Sequence, residues 1–153
     1  MQYADVSADL PARGLLRRWV RAALVAATRT ATVTLRFVDA AEGAALNRRY
    51  RSRRGPTNVL SFVYDDAPGR CRGDIVLCAP VLRSEAAAQG KPLAAHCAHL
   101  VVHGTLHLQG ADHEDPADAA RMESQEAAIL ARLGFPDPYA PRGAIARRRR
   151  RSG

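Results

Sequence analysis

The chain has 153 residues, of which 47% are hydrophobic and 25% are charged, which is typical of one compact soluble domain. It contains no run of about 18 uncharged apolar residues, so we expect no transmembrane helix and no membrane partner. Asp5 and Asp9 and the lack of a long apolar stretch near the N-terminus lead us to expect no secretory signal peptide. The cysteines are odd in number and lack C-x-x-C spacing. We therefore expect Cys71, Cys78 and Cys97 to be small buried residues. This use of cysteine suits a cytoplasmic protein.

Most of the net charge of +8 comes from residues 142–153, which hold six arginines and no acidic residue. The rest of the chain is close to neutral, with 17 basic and 15 acidic residues. A run of arginines cannot form a core and attracts polyanions. We therefore predict one folded domain over residues 1–141 and a disordered basic tail over 142–153. Two roles stay open for the tail, solubility and a contribution to RNA binding.

The first half of the chain predicts three strands and two helices. The strands are expected at residues 2–7, 32–38 and 58–64, from their alternating and β-branched residues. The helices are expected at residues 11–27 and at about 40–50, from apolar residues at helical spacing. Leu15, Leu16 and Trp19 belong to the apolar positions of the first helix, and Asp39 can cap the second.

The second half predicts one strand and three helices. The strand is expected at residues 74–78, after a turn-rich loop at 65–73. Helices are expected to begin at a proline and to end near a glycine, at about 80–90, 92–110 and 116–133. Because helices lie between several strand pairs, we predict an α/β (α+β) domain. Its small mixed sheet of about four strands would pack with about five helices.

Four histidines precede Gly110, and His113 follows it. His103 and His107 are one helical turn apart and would project from the same face. A turn at Gly110 can bring His113 to the same point. Three imidazole nitrogens with a fourth position open are typical of a catalytic zinc site, so we predict one zinc ion at the end of a long helix. His96 and His99 lie too far back to be ligands, although one of them could support a ligand.

The spacing H-x-x-x-H-x-x-G-x-x-H is also the ligand pattern of a class of zinc peptidases. Those enzymes carry a glutamate after the first histidine, and this chain has Gly104. Glycine cannot take a proton from water, so peptidase activity is disfavoured.

Four ordered segments resemble the YbeY family of bacterial endoribonucleases, over about residues 33–139. Besides the histidine segment at 103–113, they are LNRRYR with PTNVLSF at 46–51 and 56–62, GDIV at 73–76 and ILARLG at 129–134. Two departures are visible: Val63 stands where many members have proline, and Ala111 replaces an aromatic residue. Neither affects a predicted ligand, so we expect only local changes.

The resemblance implies a single-strand-specific, zinc-dependent endoribonuclease. It would act in 3′-end maturation of small-subunit rRNA and in ribosome quality control. His103, His107 and His113 would be the zinc ligands, and Arg51 would be the functional arginine across the cleft. The partners would be single-stranded RNA, rRNA and the small ribosomal subunit or its proteins, with no DNA expected. Arg53 and Arg54 would add general attraction for phosphate.

Two alternatives stay open. The chain could be a non-catalytic ribosome assembly or RNA-binding factor with a structural zinc, although such sites normally have four protein ligands. It could also be a metal hydrolase with another substrate. The general base is not assigned: Asp112, Glu114 and Asp115 flank His113, and Asp112 is better interpreted as a turn residue.

Overall fold

A computed structural model describes residues 2–3, 10–24, 30–39, 41–42, 45, 59–65, 70–109 and 115–139. Its strands are β1 (Gln2–Tyr3), β2 (Thr30–Val38), β3 (Val59–Asp65) and β4 (Arg70–Cys78). Its longer helices are α1 (Arg13–Ala23), α2 (Ala79–Gln89), α3 (Leu93–Leu108) and α4 (Pro116–Arg132).

The strands form one sheet in the order β1-β2-β4-β3. β2 pairs in parallel with β1 and β4, whereas β3 is antiparallel to β4. The predicted mixed sheet and α+β class are thus confirmed. Four of the five predicted helices lie in the described part of the chain. The fifth, at about 40–50, is helical at Ala41, Glu42 and Ala45, and its remainder lies outside the described residues.

The prediction of a loop over residues 65–73 was wrong at its C-terminal end, because β4 begins at Arg70. Thr30 pairs with Arg70 and Val33 with Gly73, so β2 extends the strand through the glycine. Backbone hydrogen bonds to a neighbouring strand outweigh the local turn preference here. Gly73 also faces Val63, where the register of β3 shifts, and a glycine in a strand often marks such an irregularity.

Two helix ends were predicted at Asp39 and Gly90, whereas the cap at Asp115 was not predicted and the C-cap of α3 is Gln109 instead of the predicted Gly110. The Glu42 backbone N–H donates to Asp39 Oδ1 at 2.8 Å, which confirms the cap expected from Asp39. Gly90 ends α2 in the left-handed conformation with φ 64°. Asp115 caps α4 by accepting a hydrogen bond from the Ala117 backbone N–H at 3.1 Å.

The core lies between the helices and one face of the sheet. Leu35 and Phe37 of β2 and Ile75 and Leu77 of β4 are fully buried there. A smaller cluster contains the alternate strand residues Val38, Val76 and Cys78, packed with Val81 of α2. The described cysteines are all buried and outside disulfides, as predicted for Cys71, Cys78 and Cys97.

α1 covers the core with Leu16, Trp19 and Ala23. Leu15 was expected on the same apolar face, but it is 43% exposed. The Trp19 ring packs edge to face on Phe135, which follows α4, with 5.8 Å between ring centroids. This contact ties the segment after α4 to α1.

α3 is the central helix and contacts α1, α2, α4, β3 and β4. Ten of its residues are buried, so it is apolar on most of its surface. Among the described helices, none is both long and apolar enough to cross a bilayer.

Candidate metal-binding histidine row

Three histidines at four-residue spacing lie along one face of α3, and we call them the imidazole row: His99, His103 and His107. The His103 and His107 rings are nearly parallel, with 4° between their planes and 6.5 Å between their centroids. His99 and His103 have the same centroid separation, with planes at 84°. The last two turns of α3 therefore present two imidazoles to the same side of the helix.

Gly104 faces away from the row and into the core. A Cβ built on Gly104 would lie 3.1 Å from both Cδ1 and Cγ2 of Ile75. Position 104 is thus a close contact between α3 and the middle of the sheet. A glutamate there would enter packed apolar side chains, which gives a physical reason for the absence of the peptidase base.

A buried carboxylate from α4 contacts the imidazole row. Glu126 is 1% exposed, and its Oε2 lies 2.9 Å from His103 Nδ1. Its Oε1 lies 2.8 Å from His99 Nε2 and accepts a hydrogen bond from the Tyr139 hydroxyl at 2.5 Å. The His99 and Tyr139 rings also meet edge to face at 5.3 Å.

These contacts keep Glu126 ionised. Burial alone would raise the pKa of the Glu126 carboxyl, but hydrogen bonds from His103, His99 and Tyr139 lower it to about 2. The contact between Glu126 and Tyr139 has the opposite effect on Tyr139. Burial and the charge of Glu126 raise the pKa of the Tyr139 hydroxyl. The site therefore contains one fixed negative charge among three hydrogen-bonding groups.

His96 lies outside the row and has a different partner. Its Nε2 is 2.9 Å from Oε1 of Glu85 on α2, and its side chain is only 4% exposed. Burial lowers the pKa of His96, although the hydrogen bond to Glu85 partly offsets this effect. The pair links α2 to α3, which agrees with the structural role expected for His96.

Gln109 fixes the end of α3. Its side-chain amide donates to the carbonyl oxygens of Ala23 at 2.8 Å and Thr105 at 3.0 Å. Because Ala23 is the last residue of α1, this contact holds the C-terminal turn of α3 against that helix. His107 lies two residues earlier and shares this anchored turn.

The remaining predicted site residues, His113, Arg51, Arg53 and Arg54, lie outside the described residues, as do Gly110, Asp112 and Glu114. Within the described part of the chain, no three His, Cys, Asp or Glu side chains are grouped so as to hold a metal ion. Two of the three predicted ligands, His103 and His107, lie on one face of α3 with 6.5 Å between their ring centroids. Asp115, one of the acidic residues beside His113, serves as the α4 cap.

Sequence reasoning did not find Glu126 or Tyr139. A local signal for Glu126 existed, because it occupies the apolar stripe of α4 between Met122 and Ile129. A carboxylate at such a position requires partners, since an isolated buried charge is costly. Tyr139 offered no comparable pattern, because its contact depends on how the segment after α4 packs.

The fold and the row together define a class of protein: a small α+β domain whose central helix presents histidines held by a buried carboxylate. The sequence profile of the family described as "Endoribonuclease YbeY" matches residues 5–134. The chain therefore belongs to the YbeY family of endoribonucleases, which are hydrolases, and the expected enzyme class is confirmed.

Similar proteins with the same description support this assignment. The one from Thiobacillus denitrificans is 54% identical over 140 residues, covering 91% of this chain and 93% of its own. The one from Nitrosomonas europaea is 54% identical over 139 residues, covering 91% and 82%. The one from Burkholderia cenocepacia is 56% identical over 138 residues, covering 89% and 78%. The profile match begins at residue 5, so the similarity includes α1 as well as the segments noted in the sequence.

Proposed function

We propose that this protein is a zinc-dependent, single-strand-specific endoribonuclease that acts in 3′-end maturation of small-subunit rRNA and in ribosome quality control. The observation that carries the proposal is the parallel pair His103 and His107, with Glu126 bound to His103 Nδ1. A metal-binding histidine commonly donates its other ring N–H to a carboxylate, which orients the ring and increases its basicity. His103 has this arrangement.

His103, His107 and His113 would hold one zinc ion. Three imidazoles suit zinc, and three protein ligands leave a place for substrate or water. When bound there, zinc would supply Lewis-acid chemistry toward a phosphoryl oxygen and toward water at neutral pH. Glu126 contributes by holding His103, while Gly104 and Gln109 fix the helix that carries both described ligands.

Arg51 would bind the scissile phosphate. Its planar guanidinium can grip two phosphate oxygens and offset the charge that develops during cleavage. Arg53 and Arg54 would attract the flanking phosphates of the strand without positioning the reacting group.

The substrate would be RNA of the small subunit, with the subunit or its proteins as further partners and no DNA. We place the enzyme in the cytoplasm, where three buried cysteine thiols would stay reduced. The catalytic domain would span residues 1–141, and residues 142–153 would form the basic tail.

The purified protein, loaded with zinc, tests this proposal on a single-stranded RNA and on the same strand in a duplex. We expect cleavage of the single strand only and its loss in His107→Ala. Activity that survives in this variant would come from a contaminating nuclease. A protein that binds zinc and RNA but cleaves neither substrate would instead be the assembly factor with a structural zinc.

The rRNA assignment has a separate test. A small-subunit rRNA precursor should be shortened at its 3′ end by the parent protein and not by His107→Ala, as read by primer-specific mapping of the ends. Cleavage of unrelated single strands with equal efficiency would contradict this part of the proposal and leave the nuclease activity standing.

A further inference from the structure

Three groups from two separate segments converge on the two oxygens of Glu126. His103 of α3 contacts Oε2, whereas His99 of α3 and Tyr139, beyond α4, share Oε1. The carboxylate is 1% exposed, so water has almost no access to it. Carboxylate oxygens accept hydrogen bonds, whereas imidazole N–H and phenol O–H groups donate them, so Glu126 is the acceptor in all three contacts.

This direction of donation determines where the imidazole protons lie. His103 meets Glu126 through Nδ1, so donation places a proton on that nitrogen and leaves the lone pair of a neutral ring on Nε2. His99 meets Glu126 through Nε2, so donation there gives a neutral ring the opposite tautomer. One carboxylate thus imposes different proton positions on two histidines one turn apart.

We propose that Glu126 is the positioning residue of this site, which holds His103 as a metal ligand through Nε2 and binds His99 through the opposite ring nitrogen. The inference rests on the proposed metal role of His103. At His99 the carboxylate contacts Nε2, the nitrogen that His103 would offer to the metal, and this nitrogen also lies 3.1 Å from the Tyr139 hydroxyl. Tyr139 completes the site by donating to the oxygen that His103 leaves unused.

The chain offers an internal control for this role. Glu85 and His96 form a similar carboxylate–imidazole pair at 2.9 Å, but His96 lies outside the imidazole row. Glu85→Gln therefore makes the same chemical change as Glu126→Gln without touching the row. Glu123→Gln is a second control, because it removes an exposed carboxylate from the same helix as Glu126.

The first test needs no substitution. Long-range ¹H–¹⁵N NMR spectra of the histidine-labelled full chain, before zinc is added and at about pH 8 where imidazoles are mostly neutral, report the proton position on each ring. We expect the proton on Nδ1 in His103 and on Nε2 in His99. A His103 ring that carries its proton on Nε2 would overturn the proposal, whatever the variants do.

The second test measures zinc affinity by competition with a chromogenic chelator. Glutamine at position 126 has no charge. Its NH₂ group replaces one carboxylate oxygen, so it faces a hydrogen-bond donor from which it cannot accept. We expect Glu126→Gln to weaken zinc binding by about 10- to 100-fold, and its His103 tautomer to become mixed. Glu85→Gln and Glu123→Gln should bind zinc like the parent, and circular dichroism checks that each variant is folded.

The comparison with His107→Ala separates the two proposals. If Glu126→Gln binds zinc as tightly as the parent while His107→Ala does not, the positioning role is wrong and the metal site stands. If His107→Ala also binds like the parent, the row is not the zinc site, and the proposed function fails together with this inference.

Discussion

Gly104 of α3 and Ile75 of β4 are packed so closely that a single added methyl group would lie 3.1 Å from two Ile75 carbons. Ile75 is fully buried and pairs with Leu35 at the centre of the sheet. His103 directly precedes Gly104 in α3, and His107 lies one turn after His103. The spacing between α3 and β4 at this contact therefore sets how far the imidazole row lies from the sheet.

Gly104→Ala should destabilise the protein despite the better helix propensity of alanine. The propensity gain is about 1 kcal/mol, whereas overpacking a filled core costs about 1–3 kcal/mol. The methyl group meets Cγ2 and Cγ1 of Ile75 as well as its mobile Cδ1, so the neighbour has little room to move. We expect a net loss of about 1 kcal/mol in urea unfolding.

Gly14 provides the matched control for that substitution. It lies in α1, is exposed, and has nothing within 4 Å of an added Cβ. Gly14→Ala should therefore stabilise the protein by up to about 1 kcal/mol. If both variants gain stability, the contact with Ile75 is not restrictive.

His96 should make the stability depend on pH. Burial lowers its folded-state pKa below the ordinary value of 6.5, with Glu85 opposing the shift and Lys91 and His99 as the other charged groups that act on it. The unfolded chain then binds a proton at higher pH than the folded chain. Stability should fall as the pH decreases below about 6.5 and level off once the folded-state pKa is passed.

The measurement is urea unfolding from pH 8 to pH 5 for the parent and His96→Gln. The variant should lose less stability than the parent over this interval, because glutamine does not titrate. Both proteins keep the imidazole row, so the difference between them reports the loss of the His96 imidazole together with its coupling to His99. If the two pH profiles are parallel, the pKa of His96 is the same in the folded and unfolded states.

Arg51→Ala should lower cleavage and leave zinc content unchanged. A charge-assisted hydrogen bond is worth about 1.5–3 kcal/mol, so kcat/KM should fall by about 10- to 100-fold. Arg51→Lys should recover only part of this, because lysine cannot bind two phosphate oxygens in one plane. Arg53→Ala should have a smaller effect, and unchanged cleavage in Arg51→Ala would remove the assigned role.

The basic tail should contribute to substrate affinity. Tyr139 contacts His99 and Glu126, and the five arginines at 147–151 begin eight residues later, at most about 28 Å along an extended chain. Replacing these arginines by glutamine should raise KM for single-stranded RNA without changing kcat. The dependence of RNA affinity on salt should become shallower, by about 0.7 in logarithmic slope for each lost phosphate contact. An unchanged slope would assign the tail to solubility alone.

The sequence was informative where the signal is local. The four-residue spacing of His103 and His107 predicted their common face, and prolines and glycines predicted most helix limits. Those features depend on backbone geometry within one helical turn, so the spacing of residues in the sequence is enough to predict them. The alternation of Leu35 and Phe37 likewise predicted the buried face of β2.

The rest depended on contacts between distant segments. Glu126 is 23 residues from His103, and Tyr139 is 40 from His99. No periodic pattern connects them, because the angle between α3 and α4 decides which side chains meet. Residues 70–73 were misassigned for a related reason, since pairing with β2 overrides their turn propensity.

Trp19 is the single tryptophan of the chain, and it is buried against Phe135. Its fluorescence therefore reports the docking of the segment between α4 and Tyr139 on α1. A shift in emission without loss of helical ellipticity would detect release of that segment while the domain stays folded. The protein thus carries a built-in fluorescent probe of the segment after α4, which brings Tyr139 into contact with Glu126.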